Sequence, residues 1–148
     1  MVLRGNSLIS AGVVVVVSSI MAWQYWPVAL RYRHERAVAA ARVVVRRYLD
    51  DKDSLDVAAC KLGVQMRRMN RLSERLSAIV PAQRRRIVDP DLAPAGTDPQ
   101  DPKLQELTLN AARSTLPSTL PDEVRAGILQ VNDSIMHARG FRIVQCAA

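Results

Sequence analysis

The sequence predicts an all-α chain. A single N-terminal transmembrane helix continues into a small helical hairpin, followed by a Pro-rich extended linker and short C-terminal helices. Three observations carry this. No ionisable side chain stands between Arg4 and Arg31, which leaves 26 uncharged residues from Gly5 to Leu30. Apolar residues then recur at helical and heptad spacing as far as Val80. Finally, four prolines and four aspartates crowd into Asp89–Pro102, a composition that cannot bury enough apolar surface to order itself. The segments expected are a span over 1–30, a basic hairpin over 31–80, a linker over 81–102, and short helices with a tail over 103–148.

The uncharged stretch has the length a bilayer demands. As a helix, 26 residues extend roughly 39 Å, against a hydrocarbon core of about 30 Å. Its centre contains the run Val13–Val17 and nothing more polar than serine from Leu8 to Ala22. In lipid the backbone must satisfy its own hydrogen bonds, which a lone segment achieves only as a helix. A cleaved secretory signal is the competitor, but Ile20 and Met21 stand before Ala22 where small residues are wanted. A retained span is therefore expected. Trp23, Tyr25 and Trp26 sit at its end, where an aromatic belt forms, with Arg31 and Arg33 at headgroup level. Pro27 removes a backbone donor there and predicts a kink.

Six arginines and one glutamate lie between residues 31 and 49, and basic residues collect on the untranslocated side of a span. This places the C-terminal part in the mitochondrial matrix, with the N-terminus in the intermembrane space of the inner membrane. The acid-free, Arg-bearing start of the chain favours that address. A bacterial inner membrane with the C-terminal part cytoplasmic is the alternative.

Beyond the span, Val38, Ala41, Val45 and Tyr48 define one helical face, and Arg31, Glu35, Arg42 and Arg46 another. Asp50–Asp53 then breaks the pattern. The next helix carries Leu55, Leu62, Met69 and Leu76 every seven residues, with Ala59, Met66 and Val80 at companion positions. Its opposite side carries Lys61, Arg67, Arg68, Arg71 and Arg75. This seam folds back on residues 31–49 or packs on a partner, and Gly63 marks a close contact with a neighbouring helix. Leu55, Leu62, Met66, Met69 and Leu76, with Arg84, Arg85 and Arg86, are the candidate partner-binding residues. Leu104, Leu107 and Ala111 predict a short helix from Lys103. Thr119 and Asp122 have capping-box spacing for a last helix through Ile128, Leu129, Ile135 and Met136, closing at Gly140.

The inventory for catalysis is thin. His34-Glu35 lacks the second histidine of a zinc-protease helix, since residue 38 is Val. His34 reads as a headgroup-level polar residue and His137 as a solvated one near a helix C-terminus. There is no Gly-rich phosphate loop, nucleophile elbow or EF-hand spacing. Cys60 and Cys146 lie 86 residues apart with no CxxC. Unreactive thiols in a reduced compartment are expected, with one disulfide between them as the other possibility. Residues 49–140 contain no Phe, Tyr or Trp, which argues against nucleic acid as the partner of the arginine blocks. No cofactor, metal or catalytic residue is expected. The make-up predicts a non-catalytic accessory (supernumerary) subunit that stabilises a large membrane complex, of the mitochondrial respiratory chain or ATP synthase, in contact with other subunits and with anionic lipid headgroups. The alternative is a membrane-tethered assembly factor that binds anionic lipid or nucleic acid through its basic helix.

Overall fold

The computed structural model describes residues 5–79, 91–117 and 119–146. Within them lie four helices and no strand: α1 (Gly5–Leu49), α2 (Leu55–Ile79), α3 (Pro102–Arg113) and α4 (Asp122–Ala138). The all-α expectation holds. Helix α1 has 45 residues, about 67 Å of rise, and Pro27 lies inside it without ending it. As expected, the uncharged stretch continues as one helix into the basic stretch that starts at Arg31.

The hairpin turn is built by a left-handed residue. Asp51 has φ of 56°, its N–H bonds to the Tyr48 carbonyl at 3.0 Å, and the Lys52 N–H reaches the Arg47 carbonyl at 2.8 Å. This pair of bonds is a Schellman closure. It reverses the chain within Asp50–Ser54, so α2 returns along α1. Arg47 then ties down the start of α2 through Asp53, at 2.9 Å.

The core lies between α1 and α2 and is closed by α3. Ala37, Val38, Ala41, Val45 and Tyr48 of α1 are buried against Leu55, Ala58, Ala59, Leu62 and Met69 of α2, with Leu104, Leu107 and Ala111 of α3. Ala41, Val45, Ala58, Ala59 and Leu62 are all 0% exposed, so small residues let the helix axes approach closely. A second cluster, Leu30 with Leu72 and Leu76, fixes the register at the other end. The heptad seam of α2 is thus used inside the chain.

Part of the acidic linker is held by the hairpin. The Arg42 Nε donates to the Asp91 carbonyl at 2.9 Å, and Leu92 and Ala93 pack against the core. Asp101 caps α3 by accepting from the Lys103 N–H at 2.9 Å, and Pro102 takes the first helical position, where its missing N–H costs nothing. At α4 the expected capping box does not form. The cap residue is Pro121, with no side-chain hydrogen bond, and the acids Asp122 and Glu123 complement the helix dipole instead. Gly140, with φ of 69°, closes α4 as expected, through bonds from Gly140 to the His137 carbonyl and from Phe141 to the Met136 carbonyl.

Gly63 makes the close approach expected of it, and its neighbour is α3. A Cβ there would meet the Ser114 Oγ and lie 3.3 Å from the Ala111 carbonyl oxygen. Gly63→Ala is expected to be near neutral: about 1 kcal/mol of added helix propensity is offset by displacing the Ser114 hydroxyl from its bond to Ala111. Gly63→Val cannot be accommodated by rotating one hydroxyl, and is expected to cost about 1–3 kcal/mol. Chemical denaturation midpoints of the detergent-solubilised chain check both.

Candidate functional site

Two surfaces and one covalent link carry the functional information. The first surface is the arm of α1. Val13–Val17 are 52–64% exposed and Trp23 is 78% exposed. Ile20, Met21, Tyr25, Trp26 and Val28 are also bare. Among the described residues this is the one helix long and apolar enough to cross a membrane, and almost none of its apolar window is buried. A core helix of a water-soluble domain would have that window covered. Arg31 and Arg33 are exposed just beyond the aromatic cluster, and the Arg36 guanidinium lies 5.8 Å from the Tyr32 ring centroid, within cation–π range.

The second surface was not anticipated. On α4, Val124, Ile128, Val131 and Ile135 follow one another at spacings of four, three and four and are 41–62% exposed. The residue that anchors this helix is Met136, 0% exposed. An ion pair between Arg113 and Asp133 and a bond from Arg139 to Gln105 hold α4 to α3, and among the described residues it meets no other helix. The 4-3-4 spacing was visible in the sequence; which face the chain would cover was not.

The expected partner-binding set fares differently. Leu55, Leu62, Met69 and Leu76 are buried in the chain's own core and Met66 packs at its margin, so these residues are not available to a partner. Their spacing is that of any two-helix seam, and α1 meets the demand. Arg84, Arg85 and Arg86 lie outside the described residues. On α2, Val64, Arg67, Arg68, Arg71, Leu72 and Arg75 line an open groove of about 390 Å³. A groove of about 490 Å³ between α1 and the linker is lined by Arg42, Arg46, Asp91 and small apolar residues. Neither groove contains a histidine, cysteine or serine, and Asp91 is the one carboxylate among their lining residues.

The covalent link corrects the expectation of reduced thiols. Cys60 of α2 and Cys146 of the tail form a disulfide with Cα atoms 5.5 Å apart. The tail is brought there by Asn110, 1% exposed on α3. Its amide donates to the Glu106 and Arg142 carbonyls at 2.9 Å each, and its carbonyl oxygen accepts from the Val144 N–H at 2.8 Å. Glu106 accepts from the Arg142 N–H, and Arg142 pairs with Asp56 at 2.7 Å. Residues 142–146 therefore strap α3 onto α2. On a chain-entropy model, a crosslink across 86 residues contributes about 4.5 kcal/mol. Purified without reductant, the chain is expected to shift mobility on a gel when reduced, and reduction or Cys60→Ser is expected to cost about 2–5 kcal/mol of domain stability by urea denaturation.

His34 also departs from expectation. It is buried, 8% exposed, on the α1 face that meets α2, and its Nε2 has no hydrogen-bond partner. Burial lowers its pKa, against an opposing pull from the Glu35 charge. The folded state therefore holds the neutral imidazole, and unfolding releases it to protonate near its ordinary value of 6.5. The sign follows: the His34 contribution to stability is constant above about pH 6.5 and declines as pH falls below it, because the unfolded chain binds the extra proton. His34→Leu is expected to remove that decline below about pH 6.5, measured as denaturation midpoint against pH.

Among the described residues no group of three or more His, Cys, Asp or Glu side chains is placed to hold a metal ion. No family model, curated protein or solved structure matches this chain.

Proposed function

We propose that this chain is a non-catalytic, single-pass accessory subunit that stabilises a large membrane complex. The uncovered stripe of Val124, Ile128, Val131 and Ile135 on α4 carries the reading. An amphipathic helix in a finished water-soluble protein turns such a stripe inward, and one left bare is a surface for another chain. The α1 arm is apolar around its whole circumference, which suits lipid. The grooves offer arginines and small apolar residues, a make-up for holding neighbours.

The disulfide supports an oxidising compartment for the domain, which reverses the orientation expected from the flanking arginines. The charge bias has least force on long segments, because regions beyond about 60 residues translocate largely regardless of it, and 118 residues follow Leu30. A mitochondrial inner membrane with the domain in the intermembrane space meets this condition, with the respiratory chain or ATP synthase as the complex. A bacterial inner membrane with the domain in the periplasm meets it equally. A second reading, a tether that grips anionic lipid through α2, is favoured by the arginine groove.

The test is co-migration. Extracted in mild detergent and washed with salt, the wild-type chain is expected to run with a large complex on native gels. Ile128→Asp with Val131→Asp is expected to run as a free small species while remaining membrane-inserted, helical and disulfide-bonded. A wild-type chain that runs free refutes the subunit reading.

A further inference from the structure

We infer that Arg68, Arg71 and Arg75 form a binding site for a phosphate-bearing anionic lipid headgroup in the leaflet next to the domain. The inference rests on α1 spanning the bilayer and is independent of any partner subunit. Its first support is placement. Leu76 and Leu72 pack on Leu30, so the far end of α2 returns to within about one helical turn, roughly 6 Å, of Trp26. The polar layer on each side of a bilayer is about 5–7 Å deep. Arg75 therefore stands at the headgroups, with Arg71 and Arg68 about 6 and 10 Å further along the helix.

The second support is the groove itself. Val64, Arg68, Arg71 and Arg75 occupy one face at spacings of four, three and four, around an open groove of about 390 Å³ floored by Val64 and Leu72. Arg67 at its edge is engaged with the Ser114 carbonyl. Among the described residues, no carboxylate forms an ion pair with Arg68, Arg71 or Arg75. Glu74 is the one acid on α2 after Asp56. Three guanidinium groups in a row outside an apolar wall match a lipid, whose phosphate takes the planar N–H forks while its acyl chains stay beside the α1 arm. Nucleic acid has the same charge but finds no aromatic ring in residues 49–140 to stack on.

The experiment uses the full chain in nanodiscs of phosphatidylcholine with increasing phosphatidylglycerol, read as lipid retained on release into native mass spectrometry. Wild type is expected to retain phosphatidylglycerol over phosphatidylcholine. A triple variant, Arg68→Gln with Arg71→Gln and Arg75→Gln, is expected to weaken that preference by about fivefold per arginine, on the order of 100-fold in all. Replacing all three by Lys is expected to restore most of it. A control with the same charge change at the turn end (Arg46→Gln, Lys52→Gln, Lys61→Gln) is expected to retain lipid like wild type. Equal loss in the control, no loss in the triple variant, or equal binding of inorganic phosphate or a short single-stranded DNA by the detergent-solubilised chain overturns the headgroup site. Release of the wild-type chain by alkaline carbonate overturns the span as well, a result distinct from stable insertion without lipid preference.

Discussion

The close contact of α1 with α2 is the constraint on which the rest of the structure depends. Ala37, Ala41, Ala58 and Ala59 are at most 1% exposed and keep the two axes near enough for Val45, Leu62 and Met69 to interlock. Each fully buried aliphatic side chain contributes about 1.5–3 kcal/mol, and the Asp51 turn lets α2 begin in register. Only because α2 is fixed in this way does Gly63 offer α3 a notch to sit in. Through α3, Asn110 positions the tail and Cys146 reaches Cys60. The order of dependence runs from hairpin to α3 to strap, with α4 last and least held.

That gradient explains why the two halves of the molecule differ in character. The hairpin and α3 satisfy their apolar faces within the chain. The α1 arm and α4 do not. Uncovered apolar surface at both places is costly in water, and the cost disappears when lipid covers one and a protein surface covers the other. The disulfide stabilises the part between them, which otherwise has a small core with a single aromatic, Tyr48, buried in it.

Much of the fold was legible because its signals are periodic. The seven-residue recurrence of Leu55, Leu62, Met69 and Leu76 and the face of Val38, Ala41, Val45 and Tyr48 predict the hairpin, and the structure buries both. Gly63 predicted a close neighbour, and Gly140 a helix end. Less of the candidate site was legible, because it depends on which of several apolar faces wins a partner inside the chain. The α2 seam was expected either to fold back on residues 31–49 or to pack on a partner, and α1 takes it. The α4 stripe, with the same kind of spacing, is left over because α3 takes only Met136. A pairing across 86 residues leaves no local trace, since it is decided by Asn110 steering a tail with no regular structure of its own. Pro27 predicts a kink, and α1 runs through it without ending, since one lost backbone hydrogen bond bends a helix more readily than it stops one. His34 looked polar and exposed by type, yet helical phase with Leu30 and Ala37 sets its burial.

The continuity of α1 has a mechanical consequence. If the α1 arm is the membrane anchor proposed above, the hairpin continues that same helix and would lean when the anchor leans. Transmembrane helices tilt by about 20° on average, and by more when the hydrocarbon layer thins. Nineteen residues separate Leu30 from Leu49, about 28 Å of rod, so such a tilt carries the Asp50 turn sideways by about 10 Å. On the proposed reading, bilayer thickness would set where the domain stands over the membrane plane, and a neighbour gripping α4 would feel a change in lipid composition as a lateral pull.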